Sequence, residues 1–464
     1  MSEASAVDRK ERSHFCRTDC LRPGVPTFRR SGLAPDDRPA SANNELNAMA
    51  SISSRPCYRF IVLALLLLVY ASNYIDRILV AVLAEDIKAD LQLSDAQLGV
   101  LGGLAFAILY TTLSIPFAML ADRSSRTWVI TICLSVWSVF TALCGVATSF
   151  WQILSFRMGV GIGEAGGVAP SYSVVSAYFP PDQRARALAV YSLGGPIGAS
   201  SGYLLGGFVA EVADWRTAFL AVGLLGLLLA PLFRIVVREP ASREVKEVSV
   251  PVSRVFSILA RQPSFWLLSW GAAIASIPGY AVLFWLPSVM QRSYALPMEA
   301  ASQIVGMLVL VAGVSGLLAG GWLSEKSGKQ DMAAYARRPG LALVAAAPLF
   351  LAGLYADQLW LTLPLVMVGL AMFYAWIGPS LAIVQNMVPA NMRSTAPACM
   401  LLIINLVGLG AGPWIVGLIS DAFSALSGPD ALRQSLLTTF PLFAVGGLML
   451  MAAARRLDLR AAAA

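Results

Sequence analysis

The sequence predicts an all-α membrane protein with twelve transmembrane helices arranged as two six-helix bundles. Three observations lead there. The composition is too apolar for a soluble domain: 57% of residues are hydrophobic and 13% are charged, where soluble domains carry about 25% charged residues. Mean hydropathy is +0.68. Twelve apolar runs approach the roughly 20 residues that a spanning helix needs. A charged loop motif also recurs at equivalent places in the two halves.

The runs lie at 60–84, 96–120, 128–147, 151–178, 187–211 and 217–237, then at 264–290, 300–323, 340–356, 359–388, 397–424 and 433–454. The 340–356 run is the shortest. Residues 1–56 lack apolar periodicity and are rich in Arg, Asp, Ser, Pro and Ala, so they read as a disordered cytoplasmic tail. The tail has no apolar run of the signal-peptide kind, and Met49 would serve as a start. Residues 57–237 form the expected N-terminal bundle, 238–263 a polar cytoplasmic linker, and 264–464 the C-terminal bundle.

Loop charges set the expected orientation. With the N-terminus inside, the inner loops hold 18 Lys and Arg residues and the outer loops hold four: Lys88, Arg216, Arg292 and Arg433. That asymmetry follows the positive-inside rule and puts both termini in the cytoplasm. A multi-pass protein of a bacterial inner membrane is expected, as a monomer.

The net charge of +7 does not point to nucleic acid, because the basic residues sit in particular loops and not on one helix face. Cys133, Cys144 and Cys399 fall inside apolar runs, where Cys acts as a small hydrophobe. His14, Cys16 and Cys20 lack a second ligand pair, so no metal site is expected. No cofactor is expected, no G-x-x-x-x-G-K-[S/T] run occurs, and no nucleophile–base set suggests an enzyme.

The repeat is specific. Leu120-Ala-Asp122-Arg123-Ser-Ser-Arg126 is matched 203 residues on by Leu323-Ser-Glu325-Lys326-Ser-Gly-Lys329. Each loop follows the second helix of its half and keeps the order acid, base, gap, base. These six residues are candidates for a cytoplasmic latch; the plain alternative is a charged turn. Glycines recur too: Gly194, Gly198, Gly202 and Gly206 in helix 5, Gly99 and Gly103 in helix 2, Gly316 and Gly320 in helix 8, and Gly408 and Gly412 in helix 11. Such faces either pack statically or form the seam on which the halves rock.

Twelve segments split six and six, with an acid–base loop after helices 2 and 8, resemble the major facilitator superfamily. The loop is similar to the family signature, with Ala118 and Ser125 in place of its usual glycines, while the second copy keeps Gly321 and Gly328. Within the superfamily the chain most resembles the Spinster group. The matching pieces are Asn73-Tyr-Ile-Asp76-Arg77, Arg157, Gly161-Ile-Gly163-Glu164-Ala165, Pro170 and Arg184/Arg186. They continue through Pro196-Ile-Gly198, Gly202-Tyr203 and Arg238-Glu239-Pro240. The likeness covers residues 73–240; beyond 264 it is a likeness of fold. It implies proton-coupled export of lysophospholipids or sphingolipid-like phosphates. Gly195-Pro196 resembles the signal of the antiporter subgroup.

Ionisable groups in a bilayer core are costly and suggest function. Asp76, Arg77, Arg157 and Glu164 lie within spans, all in the first half. At 1.5 Å per residue, Asp76 lies about 12 Å and Arg157 about 9 Å from the outer end, while Glu164 lies about 20 Å in. Asp76 and Arg157 are thus expected to pair, and Arg77 is long enough to reach toward Glu164. A carboxylate whose Arg partner moves between two states changes its proton affinity. Asp76 and Glu164 are therefore the candidate proton carriers, with Arg157 tuning them, since the only histidine is in the tail. Arg77 would meet an anionic head group through its fork of donors, with Glu164, Asn73 and Tyr74 beside it. Trp270, Tyr280, Phe284, Trp285, Tyr374 and Trp376 are candidates to line an apolar chamber. The expected partners are a small amphiphilic or anionic substrate, protons and membrane lipid. A small organic acid or drug is the alternative cargo. A non-transporting receptor or scaffold is the alternative of another class.

Overall fold

A computed structural model describes residues 56–239, 252–328, 332–389, Met392 and 395–463. Residues 50–464 form one compact unit. The expected tail at 1–56 and the His14, Cys16 and Cys20 group lie outside the described residues, Pro56 excepted.

The described residues are helical throughout, with no strand among them. The first six passes are α1 (Pro56–Val82), α2 (Asp95–Arg123, with a π-helical turn at Val100–Leu104) and α3 (Arg126–Cys144), then α4 (Phe150–Glu164 and Val168–Tyr178), α5 (Gly194–Val212) and α6 (Trp215–Val236). The second six are α7 (Pro263–Tyr294), α8 (Met298–Gly328) and α9 (Ala334–Tyr355), then α10 (Leu359–Tyr374 and Ile377–Asn386), α11 (Ala396–Ser427, π-helical at Asn405–Gly410) and α12 (Pro441–Ala463).

Nine described stretches are long and apolar enough to cross a membrane. One of these, Ala396–Leu457, contains both α11 and α12. They are separated at Gly428, whose φ of +52° places it in the left-handed region that favours glycine. The broken α4 and the glycine-diluted α5 complete the twelve.

Local chemistry sets the starts. Ser94 and Gln97 form a reciprocal capping box at the start of α2. Ser125 caps α3, and the Asp214 carboxylate accepts the Thr217 N–H at the start of α6. Most expected limits hold to within a few residues, but α5 begins seven residues later than expected and α12 lies eight to nine residues further on; the 340–356 run extends to a full helix at Ala334–Tyr355.

Besides the break of α10 at Ala375–Trp376, two details differ from the sequence reading. First, α4 is not continuous. It breaks at Ala165–Gly167, ahead of Pro170, whose missing N–H leaves the Gly166 carbonyl without a helical partner. Second, the linker is not wholly irregular. Val252–Ala260 is a short helix that buries Val255 and Leu259, one turn apart.

The glycine faces need correcting as well. The α5 stripe does not face the second half. Gly198 lies against the Ala71 carbonyl, and Gly202 and Gly206 lie against Ile75, Ile78 and Leu79, all on α1. Gly316 and Gly320 pack on Ala371 and Ala375 of α10, and Gly408 and Gly412 on Ser276 and Ile277 of α7. These are packing contacts within one half. Of the glycine faces singled out in the sequence, only Gly99 and Gly103 meet the other half, against Pro413 and Gly410 of α11. The halves therefore meet along α2–α11 and along α5–α8, where Gly207 lies on Ser302 and Gly306 on Tyr203.

Gly198→Ala would drive its new methyl into the Ala71 backbone, which cannot yield as a side chain can. The expected cost is about 1–3 kcal/mol, read as a lower melting temperature of the purified protein. Gly378→Ala, with nothing within 4 Å of the added carbon, should melt close to the parent.

Candidate functional site

Arg77 and Arg157 of the first half line one cavity, with the buried carboxyls of Asp76 and Glu164 beside them. Neighbouring side chains on a helix diverge by about 100°. Asp76 and Arg77 of α1 therefore point to different partners. Arg77 enters the cavity, and its Nε stands 2.7 Å from Oε2 of Glu164 on α4. Glu164 has no solvent exposure. It ends the first piece of α4, where Gly163 and Gly166 bring the chain onto Trp137 and Cys133 of α3. The Arg77 guanidinium carbon also lies 4.6 Å from the Phe106 ring centre, 4.5 Å from that of Tyr110 and 5.2 Å from that of Tyr74. An aromatic collar thus holds a charge that water does not fully hydrate.

The expected pairing of Asp76 with Arg157 is not found. The Asp76 carboxylate accepts a 2.6 Å hydrogen bond from the Thr141 hydroxyl of α3. Arg157 reaches the Asp76 main-chain carbonyl, at a long 3.5 Å, and not its carboxylate. Their depths match, as the helix arithmetic required, but Asp76 turns toward α3. Asn73 is buried beside them, and its Oδ1 has no hydrogen-bond partner. Arg77 Nη2, Arg157 Nε and Glu164 Oε1 are likewise buried without one.

The cavity is amphiphilic. The first half contributes Arg77, Arg157, Tyr74 and Phe106, and the second contributes Tyr280, Leu283, Phe284, Val309, Tyr374 and Leu409. Tyr280, Phe284 and Tyr374 of the expected aromatic set line it. Trp270 is partly exposed on the outside of the bundle, Trp376 is buried elsewhere, and Trp285 donates its indole N–H to the Pro413 carbonyl at 2.9 Å.

At one end of the molecule the halves are clamped, by residues that sequence reasoning passed over. Arg292, at the end of α7, donates to both Glu85 oxygens at 2.9 and 3.0 Å and to both Asp95 oxygens at 2.7 and 2.8 Å. Asp95 also holds Lys88 at 2.6 Å and accepts from Ser420 at 2.7 Å. The Asp421 carboxylate of α11 accepts the first two N–H groups of α2, from Asp95 and Ala96, at 2.9 Å each. A helix N-terminus of one half is therefore capped by an acid of the other, which charge and dipole both favour. The Ser94–Gln97 box marked the helix start in the sequence, but nothing in the sequence marked its distant cap.

The opposite end carries the repeated loop. The side chains of Asp122, Glu325, Lys326 and Lys329 lie outside the described ones. Among the described residues no ion pair joins Arg123 or Arg126 to the second half. Glu239 instead serves the start of α3. It accepts from the Ser125 hydroxyl at 2.6 Å, from the Thr127 N–H and hydroxyl at 3.0 and 2.9 Å, and from the Arg126 N–H at 3.2 Å. This gives the Arg238-Glu239-Pro240 motif a structural task. Partial burial pushes the Glu239 carboxyl up, but these donors outweigh it and hold it below the usual glutamate range.

A model of the Major Facilitator Superfamily matches residues 66–413. The chain belongs to this superfamily of membrane transporters. Among its relatives is an MFS-type efflux pump of Mycolicibacterium smegmatis, 34% identical over 381 residues, covering 80% of this chain and 87% of the relative. Protein spinster homolog 1 of Xenopus tropicalis is 30% identical over 404 residues, covering 81% and 76%. The crystal structure of a bacterial homolog of the human lysosomal transporter Spinster, in an inward-facing and unoccupied conformation, superposes with a TM-score of 0.78 at 31% identity. It covers 87% of this chain and 98% of that one. The protein is therefore a Spinster-like, multi-pass membrane transporter.

A lowered carboxyl pKa stabilises the fold above the unfolded value and is lost as pH falls through the folded one. Glu239→Gln should therefore cost about 1 kcal/mol near neutrality, the worth of a helix cap. The difference in melting temperature from the parent should shrink as the pH drops below about 4.3.

Proposed function

We propose that this chain is a proton-coupled secondary transporter that exports lysolipid-like amphiphilic anions by alternating access. It would work across a bacterial inner membrane as a monomer, with both termini cytoplasmic. The observation that carries the reading is the Arg77–Glu164 pair, in which Arg77 lines the cavity and Glu164 lies buried behind it, each keeping one buried polar atom unpaired.

Arg77 has five donors and spends Nε on Glu164. An anionic oxygen entering the cavity meets the unpaired Nη2 and competes for the rest of the fork. A buried carboxylate that loses its cation is tolerated only as the neutral acid. Anion binding and protonation of Glu164 are thus linked through one guanidinium. Asp76, hydrogen-bonded to Thr141 on the adjacent α3, is the second carboxyl in reach, with Arg157 between them. Asn73 and Tyr74 complete the head-group side. The apolar second-half wall, from Tyr280 to Leu409, suits a hydrocarbon tail.

Orientation rests on the loop charges. They make the Arg292–Asp95 clamp the outer end, so the state described is closed outside. The likeness to the Spinster homolog's inward-facing crystal structure supports that assignment. In the opposite state, Asp122, Arg123 and Arg126 with Glu325, Lys326 and Lys329 would latch the cytoplasmic end. A second cargo reading, a small organic acid or a drug, is favoured by the efflux-pump relative.

Proteoliposomes with an imposed pH gradient, offered a panel of lysolipids and organic acids, decide among these. Gradient-driven flux of a lysolipid is expected, with Glu164→Gln and Asp76→Asn losing its dependence on the gradient. Arg77→Ala is expected to weaken lysolipid binding at least ten-fold, about 1.4 kcal/mol. Flux that ignores the gradient would remove the proton. Flux of organic acids alone would change the cargo. Function without any flux would leave the receptor reading.

A further inference from the structure

Helix α7 carries Pro278 and Pro287 within its span. A proline has no N–H, so Pro287 leaves the carbonyl of Leu283, four residues earlier, without its helical donor. Buried in a bilayer, such a carbonyl must find another partner. The partner comes from the other half: Tyr203 of α5 donates its hydroxyl to the Leu283 carbonyl. Tyr203 is fully buried, with its Cβ held close to the backbone of Gly306 on α8. One residue on, Phe284 covers Gly102 in the π-helical turn of α2, where any added side-chain carbon would collide with its ring. The α7 segment between the two prolines is thus pinned to α5 and α2, both of which also meet the second half elsewhere.

The position matters. Leu283 and Phe284 line the cavity. Arg292 lies nine residues further along α7, about 13 Å toward the clamped end. The closure between cavity and clamped end therefore has two tiers, a charged outer one and an inner one made of a single neutral hydrogen bond and a ring on a glycine.

We propose that Tyr203 is a positioning residue of the transport cycle. By holding the carbonyl that Pro287 frees, it sets the closed position of the α7 segment. Opening the Asp95 end requires this bond to break together with the Arg292 clamp. Proline makes the bond releasable: the Leu283 carbonyl belongs to no helical ladder, so α7 can bend there without losing an internal hydrogen bond. The proposal rests on the transport reading for its purpose, though not for its test.

The test is cysteine accessibility in intact cells, on a background with the native cysteines replaced. Tyr280→Cys places a reporter in the cavity, and Ala89→Cys, exposed on the short helix Ala84–Leu91 beside the clamp, verifies which end faces the medium. A membrane-impermeant maleimide is applied from outside. Tyr203→Phe removes only the hydroxyl, and Pro287→Ala gives Leu283 a helical donor of its own. Tyr203→Phe should speed labelling of the cavity cysteine about five-fold, and Pro287→Ala should slow it, because α7 must then break a helical bond to bend there. In the Pro287→Ala background the Tyr203→Phe effect should be smaller, because the Leu283 carbonyl then keeps a helical donor when the hydroxyl is gone. Unchanged labelling in Tyr203→Phe, or effects that multiply in the double variant, would overturn the proposal. A purely space-filling tyrosine gives the first result, and a general loosening of α7 gives the second. Labelling needs no cargo, so failure of every panel compound to be transported would leave this result standing by itself.

Discussion

Arg77 and Glu164 face each other at 2.7 Å in a place where Glu164 has no exposure at all. Removing either charge from water costs several kcal/mol. Their attraction returns on the order of 4 kcal/mol at a separation near 4 Å and an effective dielectric near 20, and more at contact. Such a pair is close to balance, so it adds little to stability. What it does is forbid either partner from standing alone. Any movement that parts α1 from α4 at this level must supply a substitute, an anion for Arg77 or a proton for Glu164. On the proposed function, that constraint would couple binding of an anion to protonation of Glu164.

The rest of the molecule can be ordered around that constraint. The aromatic collar of Tyr74, Phe106 and Tyr110 keeps Arg77 in the cavity while Glu164 is its partner, and it offers the same π faces when the carboxylate is gone. Asp76 is held apart by Thr141, which keeps a second carboxyl near without allowing it to capture the guanidinium. Closure of the Asp95 end is electrostatic where water reaches it and neutral deeper in. Arg292 and the acids it joins can be rehydrated when they part. Tyr203 and Leu283 exchange one hydrogen bond only. At both ends a carboxylate caps a helix it does not belong to: Glu239, just beyond α6, serves α3 within a half, and Asp421 serves α2 from α11 across the halves.

Much of the fold was legible in the sequence because a bilayer leaves few options. Apolar length gives the passes, and loop charge gives the expected orientation. The candidate site was legible for the same reason: a charge within an apolar run is conspicuous, and helical rise gives its depth. Partner choice was not legible. Asp76 and Arg157 lie level, yet which way Asp76 points depends on Thr141, a residue with no distinguishing context in the sequence. The glycine stripe on α5 marked a close approach correctly, but the neighbour was α1 and not the other half, since spacing records how near a helix comes and not which helix it is. The Arg292–Asp95 clamp was missed because Glu85, Asp95, Arg292 and Asp421 are ordinary charges at helix ends. Their meaning comes from contacts some 200 to 330 residues apart in the chain.

The central claim is that Arg77 and Glu164 are mutually required, and a thermal-stability cycle tests it without any knowledge of cargo. Arg77→Met and Glu164→Gln each leave one buried charge uncompensated, which costs about 3–5 kcal/mol, whereas removing both charges leaves none. The melting temperature of the double variant should therefore lie above that of either single variant. A double variant that melts lower than both, by the sum of their separate losses, would show two independent charges and contradict the account.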